Sequence, residues 1–146
     1  MTFFSLFLFL SQYILYFKMS IKSSQTLVKE ALSEITTISP SEALEKLNKN
    51  ECNLIDIRDA NELQSLGTIE NSINISRGLL EFAIHPESTF VQNNNLDLNK
   101  EIVLFCAAGG RSALAAKTLK EMGFKKVSHV EGGFGSMSNS GFKVIK

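Results

Sequence analysis

The sequence predicts an α/β fold in three layers, a mostly parallel central sheet flanked by helices on both faces. Three observations predict it. Short apolar runs of strand length, Asn53–Ile57, Ile102–Phe105 and Val127–Val130, alternate with stretches of helical period. Turn or cap residues bound each run, and strands separated by helices pair in parallel. The 146 residues, 44% hydrophobic and 21% charged, suffice for one such domain.

Residues 1–18, MTFFSLFLFLSQYILYFK, stand apart from the rest, with Lys18 as their single charge. The apolar run from Phe3 to Phe17 is shorter than the ~20 residues that cross a bilayer as a helix, and Ser11 and Gln12 interrupt it. A secretory signal needs a positive start and a small-residue cleavage site, and the stretch around Lys18-Met19-Ser20 offers neither. We read a cytoplasmic protein whose translation starts at Met19. A membrane tether through residues 3–17 is the alternative reading.

Leu27, Val28, Ala31, Leu32 and Ile35 recur at helical spacing, so residues 19–37 carry a helix ahead of a main domain over 38–146. Ser39-Pro40-Ser41-Glu42 combines a serine N-cap, a proline at the first helical position and a capping-box glutamate, starting a helix that runs to about Asn48. Asn53–Ile57 is a strand carrying Asp56, and Arg58–Leu63 turns into a short helix ended by Gly67. Ser72–Ile75 forms the next short strand, and Gly78–Ile84 a helical turn stopped at His85-Pro86. The stretch ESTFVQNNNLDLNKE, 87–101, has no period and predicts a mobile surface loop unless it covers something. Ile102–Phe105 is then a buried strand, Ser112–Met122 a helix closed by Gly123, and Val127–Val130 the last strand.

Composition excludes several function classes. With 15 basic and 15 acidic residues the chain has no field to hold a nucleic-acid backbone. Its 2 cysteines, Cys52 and Cys106, are too few for a disulfide scaffold and have no C-x-x-C spacing. His85 and His129 lie far from both, so no metal site is expected, and each histidine reads as a surface or loop residue.

The chemistry concentrates in IVLFCAAGGRSALAAK, 102–117. Cys106 sits just past the carboxyl end of a central strand, on the loop feeding a helix, where open α/β sheets place ligands. Ala107, Ala108, Gly109 and Gly110 let the backbone curl with its N–H groups inward, as in an anion-binding nest. The start of the helix at Ser112 and the charge of Arg111 both favour thiolate over thiol. The loop supplies no histidine or carboxylate as general base, so the chemistry must need none. Cys52 has no such cradle, and its neighbour Glu51 disfavours a thiolate, so it reads as structural.

Four stretches, LIDIRDANEL at 54–63, GTIENSINIS at 67–76, CAAGGRS at 106–112 and VEGGF at 130–134, together resemble the rhodanese-like domains, most closely their single-domain sulfurtransferase form. The resemblance extends from about Ile38 to Ile145, with Cys106, Gly109 and Arg111 at the defining positions of the C-x-x-G-x-R active loop. It implies a rhodanese-like fold and a sulfurtransferase of the thiosulfate type. Cys106 would carry a persulfide, the backbone from Ala107 to Ser112 would bind the sulfur, and no metal or organic cofactor would be required. The partners implied are a small sulfur donor, a thiol or cyanide acceptor, and, as a further option, a protein persulfide.

Arg111 would either orient an anionic donor or brace the loop through a carboxylate. Arg77, in RGLLEF, is a weaker candidate for assisting the donor. By the same resemblance Asp56 and Arg58 hold the architecture around the loop; read from the residues alone they are a strand-end ion pair. The chain departs from the family pattern at Thr68, where Gly-His-Ile is usual, and at Phe134, where tryptophan is usual. Two other classes stay open. Cell-cycle phosphatases, the basis for a phosphatase or arsenate reductase reading, share the fold but have one more loop residue between cysteine and arginine, and non-catalytic binding or signalling modules of this family commonly lack the cysteine.

Overall fold

The computed structural model describes residues 2–146. Five strands form one parallel sheet: β1 (Thr36–Ile38), β2 (Cys52–Asp56), β4 (Ile73–Asn74), β5 (Glu101–Phe105) and β6 (Val127–Val130). Their order is β1-β6-β5-β2-β4, which puts β5 at the centre. The register pairs Asp56 with Phe105 and Leu104 with His129, so the carboxyl ends of β2, β5 and β6 lie side by side. The fold is the α/β, mostly parallel arrangement that the alternating runs predict.

Period-two alternation along β2 and β5 separates two cores. Ile55, Ile102 and Leu104 enter one core with Leu119 of α7 (Gly110–Glu121) and Leu80 of α5 (Leu80–Ala83). Leu54, Val103 and Phe105 enter the other with Ala43 of α3 (Pro40–Asn48) and Met137 of α8 (Gly133–Met137). Both faces of the central strands are thus dry, which is why these runs read as continuously apolar.

The helix expected within 19–37 is α2 (Ser24–Leu32), capped by Ser23, whose hydroxyl accepts from Thr26 N. It packs against α7 and fully buries Ala31. Thr36–Ile38, just ahead of the boundary at 38 that the sequence suggested, joins the sheet beside β6 as β1. A three-residue edge strand is too short to show a period. The stretch expected as a loop over 87–101 contains α6 (Thr89–Asn93), with Ser88 as N-cap. Val91 and Leu96 anchor it in the core at 8% exposure, so the segment does cover something. One buried anchor in so short a helix and a second past its end leave no periodic signal.

β3 (Thr68–Ile69) and β7 (Val144–Ile145) form a separate antiparallel pair that ties the chain end to the Gly67 turn. α4 (Ala60–Leu66) ends at Gly67 with φ +80°. A Cβ there would lie 2.5 Å from the Ile145 carbonyl oxygen, so the close approach needs glycine. At the other terminus α1 (Phe3–Ser20) is capped by Thr2, and the side chains from Thr2 to Tyr16 are all exposed. Among the described residues no helix is long and apolar enough to cross a membrane.

Candidate active site

Alternation along β5 decides where the cysteine points. Ile102, Leu104 and Cys106 share one face, which aims the sulfur under the amino end of α7. There Gly109, at φ +108°, forms the helix N-cap. Sγ accepts a hydrogen bond from Gly109 N at 3.1 Å and from Ser112 N at 3.4 Å. Ser112 Oγ lies 3.5 Å from the sulfur. Of the backbone expected to form the cradle, Ala107 to Ser112, these two N–H groups reach the resting sulfur; Ala107, Ala108 and Gly110 shape the loop around it. Cys106 is 1% exposed, while Ala108 is open to solvent.

The loop is held from below by α8. Phe134 N donates to the Cys106 carbonyl at 2.7 Å and Gly135 N to that of Ala107 at 3.2 Å. Gly133, at φ +56°, has no room for a side chain, since a Cβ would sit 2.3 Å from the Cys106 carbonyl oxygen. The VEGGF stretch is thus the floor of the active loop.

Asp56 and Arg58 are both fully buried. Arg58 Nε and Nη2 donate to the Asp56 carboxylate at 3.0 and 2.7 Å, and Nη2 also donates to the Gly67 carbonyl. Thr68 Oγ1 donates to the same carboxylate at 3.0 Å, a contact made from the position that departs from the family pattern. The guanidinium lies 3.9 Å from the Phe134 ring centroid, a close cation–π stack. Arg58 therefore connects β2, the Gly67 turn and α8, and through Phe134 it supports the loop without touching the sulfur. This is more than the strand-end ion pair that the residues alone suggested.

Arg111 braces the loop. Its guanidinium donates to both oxygens of Glu62, at 2.8 and 2.7 Å. Glu62 is itself fixed by the capping box of α4, where Asp59 N donates to Oε2. The Arg111 contact holds the Glu62 carboxyl at about 2. That value lies below the ordinary 4.5, so the pair's stabilisation is complete above about pH 4.5 and is lost as pH falls towards 2. Glu62→Gln is therefore expected to cost about 1 kcal/mol near neutral pH, the upper range for a partly exposed pair. In thermal melts the gap from wild type should close between pH 5 and pH 2; a gap independent of pH would contradict the assignment.

Arg77, which the sequence suggested as an aid to the donor, has its guanidinium paired away from Cys106. Nη1 donates to Glu81 at 2.8 Å and Nη2 to Thr118, in the third turn of α7, at 3.3 Å. A short helix starting at Arg77 turns its side chain along its own i+4 neighbour. His129 also differs from expectation: on β6 it is 2% exposed, with Nδ1 3.0 Å from Ser112 Oγ. An isolated histidine in a strand carries no local sign of a partner on another element, and only the mixed run VSHV hinted at burial. Cys52 lies by the opposite, amino end of the sheet, beside a cleft of about 490 Å³ lined by Asn50, Asn71 and Asp97. Burial, aided by Glu101, pushes its thiol up to about 11, which disfavours the thiolate at neutral pH.

The model of the rhodanese-like domain matches residues 39–140. The chain belongs to the rhodanese-like family. It is 38% identical to a Rhodopseudomonas palustris structure described as a protein of unknown function and possible tyrosine phosphatase, with a TM-score of 0.75 over 85% of this chain and 95% of that one. The polysulfide-sulfur transferase homodimer of Wolinella succinogenes is 35% identical, with a TM-score of 0.65 over 82% of this rhodanese-like chain and 84% of that one. Among curated relatives, the "Putative sulfur carrier protein YrkF" of Bacillus subtilis is 33% identical over 69% of the chain and 50% of its own length. The tRNA uridine(34) hydroxylase of Chlamydia abortus is 32% identical over 66% of the chain and 29% of its own length. The chain thus spans half or less of the curated relatives it matches.

Proposed function

We propose that this rhodanese-like domain is a sulfurtransferase that moves sulfane sulfur through a persulfide on Cys106. One observation carries the reading: Sγ lies at the amino end of α7, where the N–H groups of Gly109 and Ser112 both donate to it. Donors converging on sulfur stabilise negative charge there before and after transfer. The thiolate attacks the outer sulfur of a donor such as thiosulfate; the donor's S–S bond breaks, and sulfite leaves with the bonding electrons. An acceptor such as cyanide then attacks the terminal sulfur of the persulfide, thiocyanate departs, and the thiolate returns. Neither step needs a general base at the sulfur being transferred.

The charges around the loop bear on the donor. Arg111 is neutralised by Glu62, Arg77 by Glu81 and Arg58 by Asp56. A dianion meets no unpaired arginine from these positions, so thiosulfate is a workable donor, and a small or protein-borne persulfide suits the entrance better. The test is turnover and intact mass with thiosulfate and with glutathione persulfide. A gain of one sulfur, ~32 Da, mapped to the Cys106 peptide and not to Cys52, is the expected result. No adduct from any donor on folded protein would overturn the reading, and a strong preference for thiosulfate would overturn the donor assignment.

Phosphatase activity is the second reading, favoured by the description of the Rhodopseudomonas palustris structure. Against it stands the loop, in which four residues separate Cys106 from Arg111. The Arg111 guanidinium is also committed to Glu62 rather than presented to a phosphate. Aryl-phosphate turnover that depends on Cys106 would reverse this order.

A further inference from the structure

Behind the sulfur runs a continuous chain of polar groups that sulfur transfer does not itself require. Ser112 Oγ lies 3.5 Å from Cys106 Sγ and 3.0 Å from His129 Nδ1. On the far side of the ring, Nε2 lies 2.9 Å from Oγ1 of Thr37. Thr37 is exposed on the edge strand β1. Cys106, Ser112 and His129 are all buried to 2% exposure or less. The chain therefore links a covered thiol, in three contacts, to solvent at the sheet edge. Parallel register builds it: Thr37 and Leu104 flank His129 on the neighbouring strands, and Ser112 descends from α7.

We propose that His129 is a positioning residue that, through Ser112, carries the thiol proton of Cys106 to Thr37 and solvent. The inference rests on Cys106 being the nucleophile. A neutral imidazole has one donor and one acceptor nitrogen. With the hydrogen on Nε2, the ring donates to Thr37 and accepts from the Ser112 hydroxyl, which accepts from the thiol. The thiol proton passes to Ser112 Oγ while the serine proton passes to Nδ1, leaving a thiolate and an imidazolium. The Nε2 proton then leaves through Thr37 to water, and the ring is neutral again with its hydrogen on Nδ1. In that tautomer Nδ1–H donates to Ser112 Oγ, freeing the serine hydrogen to turn to the sulfur as a third donor. The net change is one proton from thiol to solvent, with no other bond altered.

The surroundings keep the ring neutral between transfers. Burial lowers the His129 pKa, and Glu131, just past β6, opposes this without reversing it. From the packed elements, Thr37 of β1, Ser112 of α7 and Leu104 of β5 bring no charge. Ser112 Oγ also lies 3.1 Å from the Gly109 carbonyl, so the serine hydrogen has two resting acceptors and switches between them by rotation.

The experiment is the pH–rate profile of Cys106 alkylation by iodoacetamide, which reads thiolate formation without any sulfur donor. His129→Leu is expected to slow alkylation at pH 7 by about 10-fold and move the profile to higher pH, since it removes support for a hydrogen bond to a charged sulfur. His129→Gln, whose amide can still hydrogen-bond Ser112, should recover part of the rate. Thr37→Val, at an exposed position, should slow alkylation less while leaving the melting temperature nearly unchanged. Unchanged profiles in folded His129→Leu and Thr37→Val would overturn the proposal, even if sulfur transfer is found. Shifted profiles in a protein that transfers no sulfur would uphold the relay and reject the transferase reading alone.

Discussion

Replacing Cys106 by serine is expected to lower sulfur transfer from every donor by at least about 10³-fold and to abolish the one-sulfur mass gain. Oxygen fits where sulfur sat, and it can still accept from Gly109 N and Ser112 N, now 3.1 and 3.4 Å from the sulfur. Packing changes little, so stability should stay within about 1 kcal/mol of wild type. What is lost is chemical. A hydroxyl in this cradle stays protonated at neutral pH, is a poor nucleophile towards divalent sulfur, and cannot store a sulfane sulfur. Residual activity of one tenth or more in the variant would mean that the reaction does not pass through Cys106. A partner that still binds the serine variant would show that docking and transfer are separate properties of the domain.

The second large effect is structural. Arg58→Met is expected to cost about 3–5 kcal/mol, because it leaves the Asp56 carboxylate buried with its countercharge gone. Thr68 Oγ1 and the Arg58 backbone N–H would remain as donors, and two neutral donors do not replace a bidentate guanidinium. The stack on Phe134 goes too, and with it the support for the helix whose N–H groups hold the Cys106 and Ala107 carbonyls. Thermal melts should show a fall of about 10–20 °C for a chain of this size. The double variant Asp56→Asn with Arg58→Met should recover part of the loss, because it removes the stranded charge along with its partner. A double variant no more stable than Arg58→Met would place the cost in the lost stack instead. Arg58 Nη1 is buried without a hydrogen-bond partner, so the site tolerates one unsatisfied donor to keep the fork and the stack together.

These two residues show what each level of description carries. The active loop was legible in sequence because its determinants are contiguous. An apolar strand, a cysteine, four small residues and a helix start follow one another within 102–117. Strand period places the sulfur, glycine permits the turn, and the helix supplies the donors, all within a few residues of Cys106. The same holds for the Ser39 cap, which the structure reproduces with Ser39 Oγ accepting from Glu42 N.

By itself, then, the sequence determined the alternating α/β layout and the placing of Cys106 in a loop of small residues ahead of a helix. Only the tertiary structure decided who stands behind that cradle. Glu62 takes Arg111 across 49 positions. Thr37 meets His129 across 92 positions, and Arg58 lies on Phe134. The physical reason is that periodicity and capping are set by neighbours along the chain. A partner on another element is set by strand order, and the crossovers brought β1 beside β6 and β6 beside β5 with no local mark on Thr37, His129 or Ser112.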